Sequence, residues 1–271
     1  MVDPAPIRTD AVVVENRSEG GTNRRLRLQV DGWCGFGPGQ FVMLSPGSRA
    51  DVARSDPLLP RPMAVYRAAP AGAGAVVEIL YKVSGRGTGL LADVLPGQRV
   101  ALVGPLGRSF DLPESGERAI LVAGGTGIAS VYELAARARV NTEVSVLLGA
   151  RSSDDLMGVE DFESLGVDLR LATEDGSAGE RGLVTALLEA ELAEDGTARV
   201  YACGPTPMMR RCAEISAERG RPCVVSLENN MACGFGVCLG CAAPLSTGGY
   251  ALVCRDGPMF AAEHVAWEGL P

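Results

Sequence analysis

Four cysteines near the carboxy end constrain this chain more than any other feature. Cys233, Cys238 and Cys241 follow the pattern C-x4-C-x2-C, and Cys254 comes after twelve further residues. Three ligands on one tight loop and a fourth on a returning segment is the plant-type spacing for a [2Fe–2S] cluster, because four thiolates must converge on two irons. Gly234, Gly236 and Gly240 let such a loop curl closely and turn backbone N–H groups towards sulfur. No charged side chain lies between Cys233 and Cys254, and an apolar, hydrogen-bonding shell is what tunes and shields such a centre. The competing reading is one structural zinc ion on four cysteines. Zinc sites favour two short C-x2–4-C pairs on separate hairpins, whereas here three ligands sit together and the fourth stands alone.

Disulfides do not compete. The amino terminus, MVDPAPIRTD, has neither the basic stretch nor the apolar core of a signal peptide. No run approaches the roughly 20 apolar residues of a membrane span. The expectation is a cytoplasmic protein with no membrane segment, in which eight cysteines are not a disulfide framework. The formal net charge of −8, with Lys82 as the only lysine and the arginines scattered, leaves no basic face for nucleic acid.

A length of 271 residues suits two domains and a small addition. Residues 7–15, 24–30, 40–44, 63–66, 76–83 and 99–103 read as short strands separated by Gly, Pro and Asp, with 68–75 an Ala/Gly/Pro loop. In 24–30, Leu26, Leu28 and Val30 fall on one side and Arg25, Arg27 and Gln29 on the other. That pattern predicts a small antiparallel barrel over 1–112. From residue 113 the pattern changes. Apolar runs at 119–123, 144–148, 167–172, 200–202 and 223–227 alternate with helical stretches at 128–139, 183–193 and 206–219. Such alternation predicts βαβ units and a parallel sheet over 113–227. Residues 228–271 fit neither pattern and hold too little apolar material to fold alone, so metal ligation supplies what packing does not.

Four further motifs carry chemistry. Arg61-Pro62-Met63-Ala64 opens a strand; the arginine suits a phosphate, although Arg-Pro before a strand is also common structure. Gly85-Arg-Gly87-Thr88-Gly89 precedes a helical pattern at 90–94 and is either a phosphate cradle or an ordinary loop. Gly124, Gly125, Thr126 and Gly127 follow the apolar run AILVA and open a helix, the context that receives a pyrophosphate. Cys203, Gly204 and Pro205 end a second apolar strand and start another helix. Both motifs fall at strand carboxyl ends, where ligands sit in open α/β sheets. Cys203 is equally readable as a small buried hydrophobe.

Together these residues resemble the ferredoxin–NADP reductase superfamily, and within it the electron-transfer subunits of class B dihydroorotate dehydrogenases. The specific part is SLENNMACGFGVCLGC, closed by VCRDGPMF; GGTG is shared by many reductases. The resemblance spans essentially the whole chain. It implies a flavin barrel (1–112), an NAD-binding α/β domain (113–227) and a [2Fe–2S] segment (228–271). It further implies FAD on Arg61, Pro62, Met63, Ala64, Leu80, Tyr81, Lys82, Gly87 and Thr88, and NAD across Gly124–Gly127 and Cys203, Gly204 and Pro205. The cluster falls to Cys233, Cys238, Cys241 and Cys254. The partner it implies is an FMN-containing catalytic subunit that oxidises dihydroorotate, in a heterotetramer of two of each, with electrons running from FMN through the cluster and FAD to NAD⁺ in pyrimidine biosynthesis. General acid–base residues are expected in that partner, and none is assigned here. The family commonly has serine where this chain has Ala64, a hydroxyl able to approach flavin N5.

Two other functions fit parts of the pattern. One is a reductase subunit for another acceptor, of sulfite-reductase, hydrogenase or oxygenase type; only 44 residues follow Leu227, too few for a complete ferredoxin domain. The other is a zinc-stabilised nucleotide-binding module. The choice between NAD and NADP stays open, since Arg151 and Ser152 follow the strand at 144–148 and suit a 2′-phosphate. The lone histidine, His264, reads as a surface residue.

Overall fold

Apolar–polar alternation in the first part of the chain builds an antiparallel sheet that curls on itself. In the computed structural model, which describes residues 4–46, 59–193 and 196–270, this sheet has seven strands. They are β1 (Ile7–Gly20), β2 (Asn23–Asp31), β3 (Phe41–Leu44), β4 (Arg61–Ala64), β5 (Arg67–Ala71), β6 (Gly74–Lys82) and β7 (Arg99–Leu106), with a short helix α1 (Arg86–Ala92) before the last. Their order is β4-β3-β7-β1-β2-β6-β5. The chain between the two end strands closes the curl: Val65 N–H donates to Gln40 O at 3.0 Å on one side, and Tyr66 N–H to Glu78 O at 2.9 Å on the other. Leu26, Leu28, Val42, Leu44, Val77, Ile79 and Leu102 fill the interior, each contributing about 2 kcal/mol of burial.

Two expectations change here. The presumed loop at 68–75 is a hairpin, β5 paired with β6; Pro70 is tolerated because β5 ends the sheet and needs no donor on its open side. Arg25, placed by alternation on the polar side of β2, is only 3% exposed. Its guanidinium bonds Glu19 at 2.7 Å, Glu78 at 2.9 Å and Asp161 at 2.6 Å, so its charge is matched where it is buried.

The second unit alternates as expected: β8 (Arg118–Gly124), α2 (Ile128–Ala138), β9 (Val144–Ala150), α3 (Val159–Leu165), β10 (Asp168–Thr173), β11 (Glu180–Arg181), α4 (Val184–Glu191), β12 (Ala198–Cys203), α5 (Thr206–Glu218) and β13 (Cys223–Ser226). The sheet runs β11-β10-β9-β8-β12-β13, all parallel. The chain winds outward from β8, then returns to place β12 on the other side of β8. That reversal leaves a crevice at the carboxyl ends of β8 and β12. Helix α2 buries Ile128, Val131, Leu134, Ala135 and Ala138 against the sheet, the i, i+3, i+4 stripe of an amphipathic helix.

Helix α3 has no counterpart in the sequence reading. It spans two turns and buries one side chain, Phe162, so it has little periodicity to read. It nevertheless joins the two units. Asp161 accepts hydrogen bonds from Arg25, from Tyr66 Oη at 2.9 Å and from Arg67 Nη1 at 2.8 Å. Gly158, with φ +66°, approaches so closely that a Cβ there would lie 2.5 Å from Tyr66 Oη.

The carboxy-terminal segment is not a detached body. It forms a two-stranded ladder, β14 (Ala242–Pro244) with β15 (Tyr250–Leu252), and then β16 (Met259–Ala261), which pairs antiparallel with β13 and covers the edge of the parallel sheet. Among the described residues no helix is long and apolar enough to cross a membrane.

Candidate functional site: two cavities and a cysteine loop

The first cavity, of about 570 Å³, opens between the barrel and the α/β unit. It gathers Arg61, Pro62, Met63 and Ala64 of β4, Leu80, Tyr81 and Lys82 of β6, and Thr88 of α1. Gly87 is not part of the wall. It lies beneath Arg61, where a Cβ would come within 2.7 Å of Nε and would push the guanidinium from its present place. The Thr88 hydroxyl accepts the N–H groups of Ser84 at 3.0 Å and Gly85 at 3.1 Å, which fixes the turn entering α1. A cationic side chain beside a glycine turn suits a phosphate group, and the strand edges of β4 and β6 suit a flat ring. Ala64 presents a methyl group to this cavity and no hydroxyl.

The second cavity, of about 510 Å³, lies at the carboxyl ends of the parallel strands. Gly124, Gly125 and Pro205 line it, together with Gly149, Ala150, Arg151, Asp155, Glu174, Met208 and Arg211. The two glycine motifs meet here. A Cβ on Gly204 would lie 2.9 Å from Gly124 O, and one on Gly127 would lie 2.2 Å from Cys203 O. Thus Gly124 and Gly125 face the cavity, while Gly127, Cys203 and Gly204 are packing that brings β8 and β12 together. Thr126 points the other way, into the first cavity. Cys203 is fully buried, and burial pushes its thiol up to about 12, so at neutral pH it is no nucleophile.

The four cysteines are arranged as two pairs. Cys241 Sγ and Cys254 Sγ are 3.2 Å apart, and Cys254 N–H donates to Cys241 Sγ at 3.4 Å. The Cys238 side chain lies near enough to Cys233 to help hold its thiol low. Burial would raise Cys233, but backbone N–H groups of Cys238, Phe235 and Val237 outweigh it and lower the thiol below its ordinary value. Cys254 moves the opposite way, through burial and the adjoining Cys241. Gly234 and Gly236 both have φ +84° and make the curl that aims these N–H groups. Among the described residues no three His, Cys, Asp or Glu side chains close around a single ion. Two thiol pairs suit two bridged irons with two ligands each. All eight cysteines are free thiols. Cys34, Cys203, Cys212 and Cys223 are not among these four, and His264 is exposed beside Glu263.

Comparison with known proteins fits this geometry. Residues 228–266 match the model for the iron-sulfur cluster binding domain of dihydroorotate dehydrogenase B, and residues 121–214 match that for an oxidoreductase NAD-binding domain. The electron transfer subunit of dihydroorotate dehydrogenase B (NAD(+)) from Desulforamulus reducens is 38% identical over 236 residues, 85% of this chain and 87% of the relative. The corresponding subunit from Caldanaerobacter subterraneus is 38% identical over 253 residues, 90% of this chain and 95% of the relative. The chain belongs to the dihydroorotate dehydrogenase B electron transfer subunit family. Among solved structures, a chain of the NADH-dependent reduced ferredoxin-NADP oxidoreductase superposes with a TM-score of 0.84 at 28% identity, covering 96% of this chain and 91% of that one. Membership carries the cofactor set FAD, [2Fe–2S] and NAD, and a catalytic partner subunit.

One residue of this family member was not singled out by its sequence. Glu228, at the carboxyl end of β13, opens into the first cavity, whose wall it shares with Thr126. Protein walls on the other sides desolvate its carboxyl and hold it above the usual carboxylate range. The signal was present: Glu228 follows a buried parallel strand, as Gly124 and Pro205 do, and strand carboxyl ends carry ligand residues.

Proposed function

We propose that this chain, as the NAD-linked electron-transfer subunit of a dihydroorotate dehydrogenase, takes electrons from an FMN-containing catalytic subunit and delivers them to NAD⁺, in a heterotetramer of two of each. Its setting is cytoplasmic pyrimidine biosynthesis. The observation that carries this is the cysteine loop, set as two thiol pairs and packed on the barrel strand next to the flavin cavity. Bound there, FAD exchanges a hydride with the nicotinamide and single electrons with the cluster.

The chain's own residues do the positioning. Arg61 neutralises phosphate above Gly87 and Thr88. Residues 62–64 and 80–82 hold the ring edge by their backbones. Gly124, Gly125 and Pro205 bring the nucleotide to the crevice between β8 and β12. Cys233 and Cys238 would hold one iron and Cys241 and Cys254 the other, with backbone N–H groups supporting the sulfurs. Glu228, next to Thr126, stands in the flavin cavity on its nucleotide-domain side. The dihydroorotate chemistry itself belongs to the partner.

The likeness to the reduced ferredoxin-NADP oxidoreductase chain favours one second reading, a reductase subunit for another acceptor. The 38% identity of the dihydroorotate dehydrogenase relatives, against 28% there, favours the first. The deciding experiment isolates the chain from its native host with its partner. Recovery of an FMN protein, and NAD⁺ reduction by dihydroorotate through the complex, is expected. Activity with sulfite or an oxygenase, and none with dihydroorotate, would overturn it.

A further inference from the structure

Residues 228–271 hold four cysteines of the loop and only one lysine or arginine, Arg255, next in sequence to Cys254. Its side chain folds back across the loop that carries the other three. A Cβ added to Gly236 would lie 2.9 Å from Arg255 Cδ and 3.2 Å from Arg255 Cβ. The stem therefore rests on a glycine, between Cys233 and Cys238 in sequence, that has no side chain to push it off.

The guanidinium is fixed there. Arg255 Nε donates to Asp256 Oδ1 at 2.9 Å, and Nη2 to Asp256 Oδ2 at 3.2 Å. Asp256 is anchored in turn. Its Oδ2 accepts the Leu252 N–H at 2.8 Å, and its own N–H donates to Leu252 O at 2.8 Å. The pair is thus a fixed dipole with its arginine end laid over the cysteine loop.

We propose that Arg255 sets the reduction potential of the cluster: its guanidinium, laid over Gly236 and held by Asp256, offsets the negative charge that the centre gains on reduction and makes it easier to reduce. The proposal rests on the [2Fe–2S] reading of the four cysteines.

Charge balance supports it. Four thiolates and two sulfides outweigh two ferric irons, so the centre is anionic before it accepts an electron and more so afterwards. The exposed side chains of the loop, Phe235, Val237 and Leu239, are apolar and offer no counter-charge. Asp256, and after it the sulfurs of Cys254 and Cys241, hold the Arg255 guanidinium above its ordinary value, so its field reaches that thiol pair. Arg8 of β1 shares a cavity wall with Cys233 and Phe235, on the side of the other pair. Arg108 acts on Asp256.

The residue type fits as well. An arginine covers the loop with its aliphatic stem while its planar fork makes two bonds to one carboxylate. A lysine would bring the charge without the fork.

The test is a redox titration of the full-length, FAD-loaded, cluster-bearing protein, followed by the electron paramagnetic resonance signal of the reduced centre. Arg255→Gln is expected to keep its iron and sulfide and to shift the equilibrium at least threefold against reduction, a midpoint lower by about 28 mV for one electron. Arg255→Lys, which keeps the charge, is expected to recover most of that shift. Arg255 is 59% exposed, so the gap between parent and Arg255→Gln should shrink in about 1 M salt, where screening acts within about 3 Å. An unmoved midpoint in Arg255→Gln overturns the proposal. Equal shifts in the Gln and Lys variants, a gap indifferent to salt, or loss of iron from Arg255→Gln also overturn it, because each assigns the arginine to packing. A parent protein with iron but no sulfide fails the cluster reading itself, and the inference with it.

Discussion

Gly234, in the cysteine loop, lies directly on Met43 of β3: a Cβ added to Gly234 would come within 2.5 Å of Met43 Cγ. Phe41, two residues earlier on the same strand, lines the flavin cavity. This contact is therefore what sets the cysteines beside the flavin site. Gly234→Ala combines that clash with a φ of +84°, a backbone conformation costing an alanine about 1 kcal/mol before any clash. The expected outcome is slower flavin-to-cluster electron transfer and a share of chains without iron, measured by stopped-flow reduction with NADH and by iron analysis. Unchanged values for both would mean the loop does not depend on this seat.

The pairing of thiols predicts which cysteines matter. Cys254→Ser and Cys241→Ser should each lose the cluster absorption, because each removes one of two ligands from the same iron. Cys34→Ser removes an exposed thiol and should retain full iron content. Iron and sulfide analysis of the variants side by side checks this. Equal loss in all of them would contradict the assignment.

Much of this was legible because the relevant signals are local. The C-x4-C-x2-C spacing, the apolar runs of the parallel strands and the Gly124–Gly127 turn are each set within a few residues. The arrangements that were not legible are those between distant segments. Alternation puts Arg25 on the solvent side of β2, but Asp161, 136 residues away, takes it inward. Thr126 reads as part of a nucleotide motif, yet its neighbour Glu228 arrives from β13 and makes it part of the flavin cavity wall. Lys82 reads as a flavin contact, yet Asp155 takes its ammonium and it lines the nucleotide cavity as well.

Glu174 should set the preference for NAD over NADP. It stands at the carboxyl end of β10, lines the nucleotide cavity and makes no ion pair among the described residues. Arg151, which the sequence offers to a 2′-phosphate, is instead paired with Asp155. An added phosphate would thus face an unmatched carboxylate. Glu174→Arg is expected to lower the ratio of kcat/KM for NADH over NADPH at least tenfold, equivalent to about 1.4 kcal/mol. A ratio that does not move assigns the selection elsewhere.

Asp161 should make the barrel–nucleotide domain contact acid-sensitive. Burial would raise its carboxyl, but Arg25, Arg67 and Tyr66 outweigh it and hold it below the ordinary 3.8. A depressed carboxylate stabilises the fold fully above its unfolded value, and that stabilisation is lost as pH falls through the folded value. Asp161→Asn should cost about 2 kcal/mol at pH 7. The gap between parent and variant should then narrow below pH 3.8. Urea unfolding at pH 7 and pH 3 gives both numbers; a gap that is constant with pH would show that the charge is not what holds the domains.

The most direct test of the account is an anaerobic cofactor analysis of the isolated chain, followed by reduction with NADH and electron paramagnetic resonance. The account predicts one FAD with about two irons and two sulfides per chain. It also predicts that NADH bleaches the flavin and produces the signal of a reduced [2Fe–2S] centre. A colourless protein holding one zinc, with no sulfide and no flavin, would contradict it.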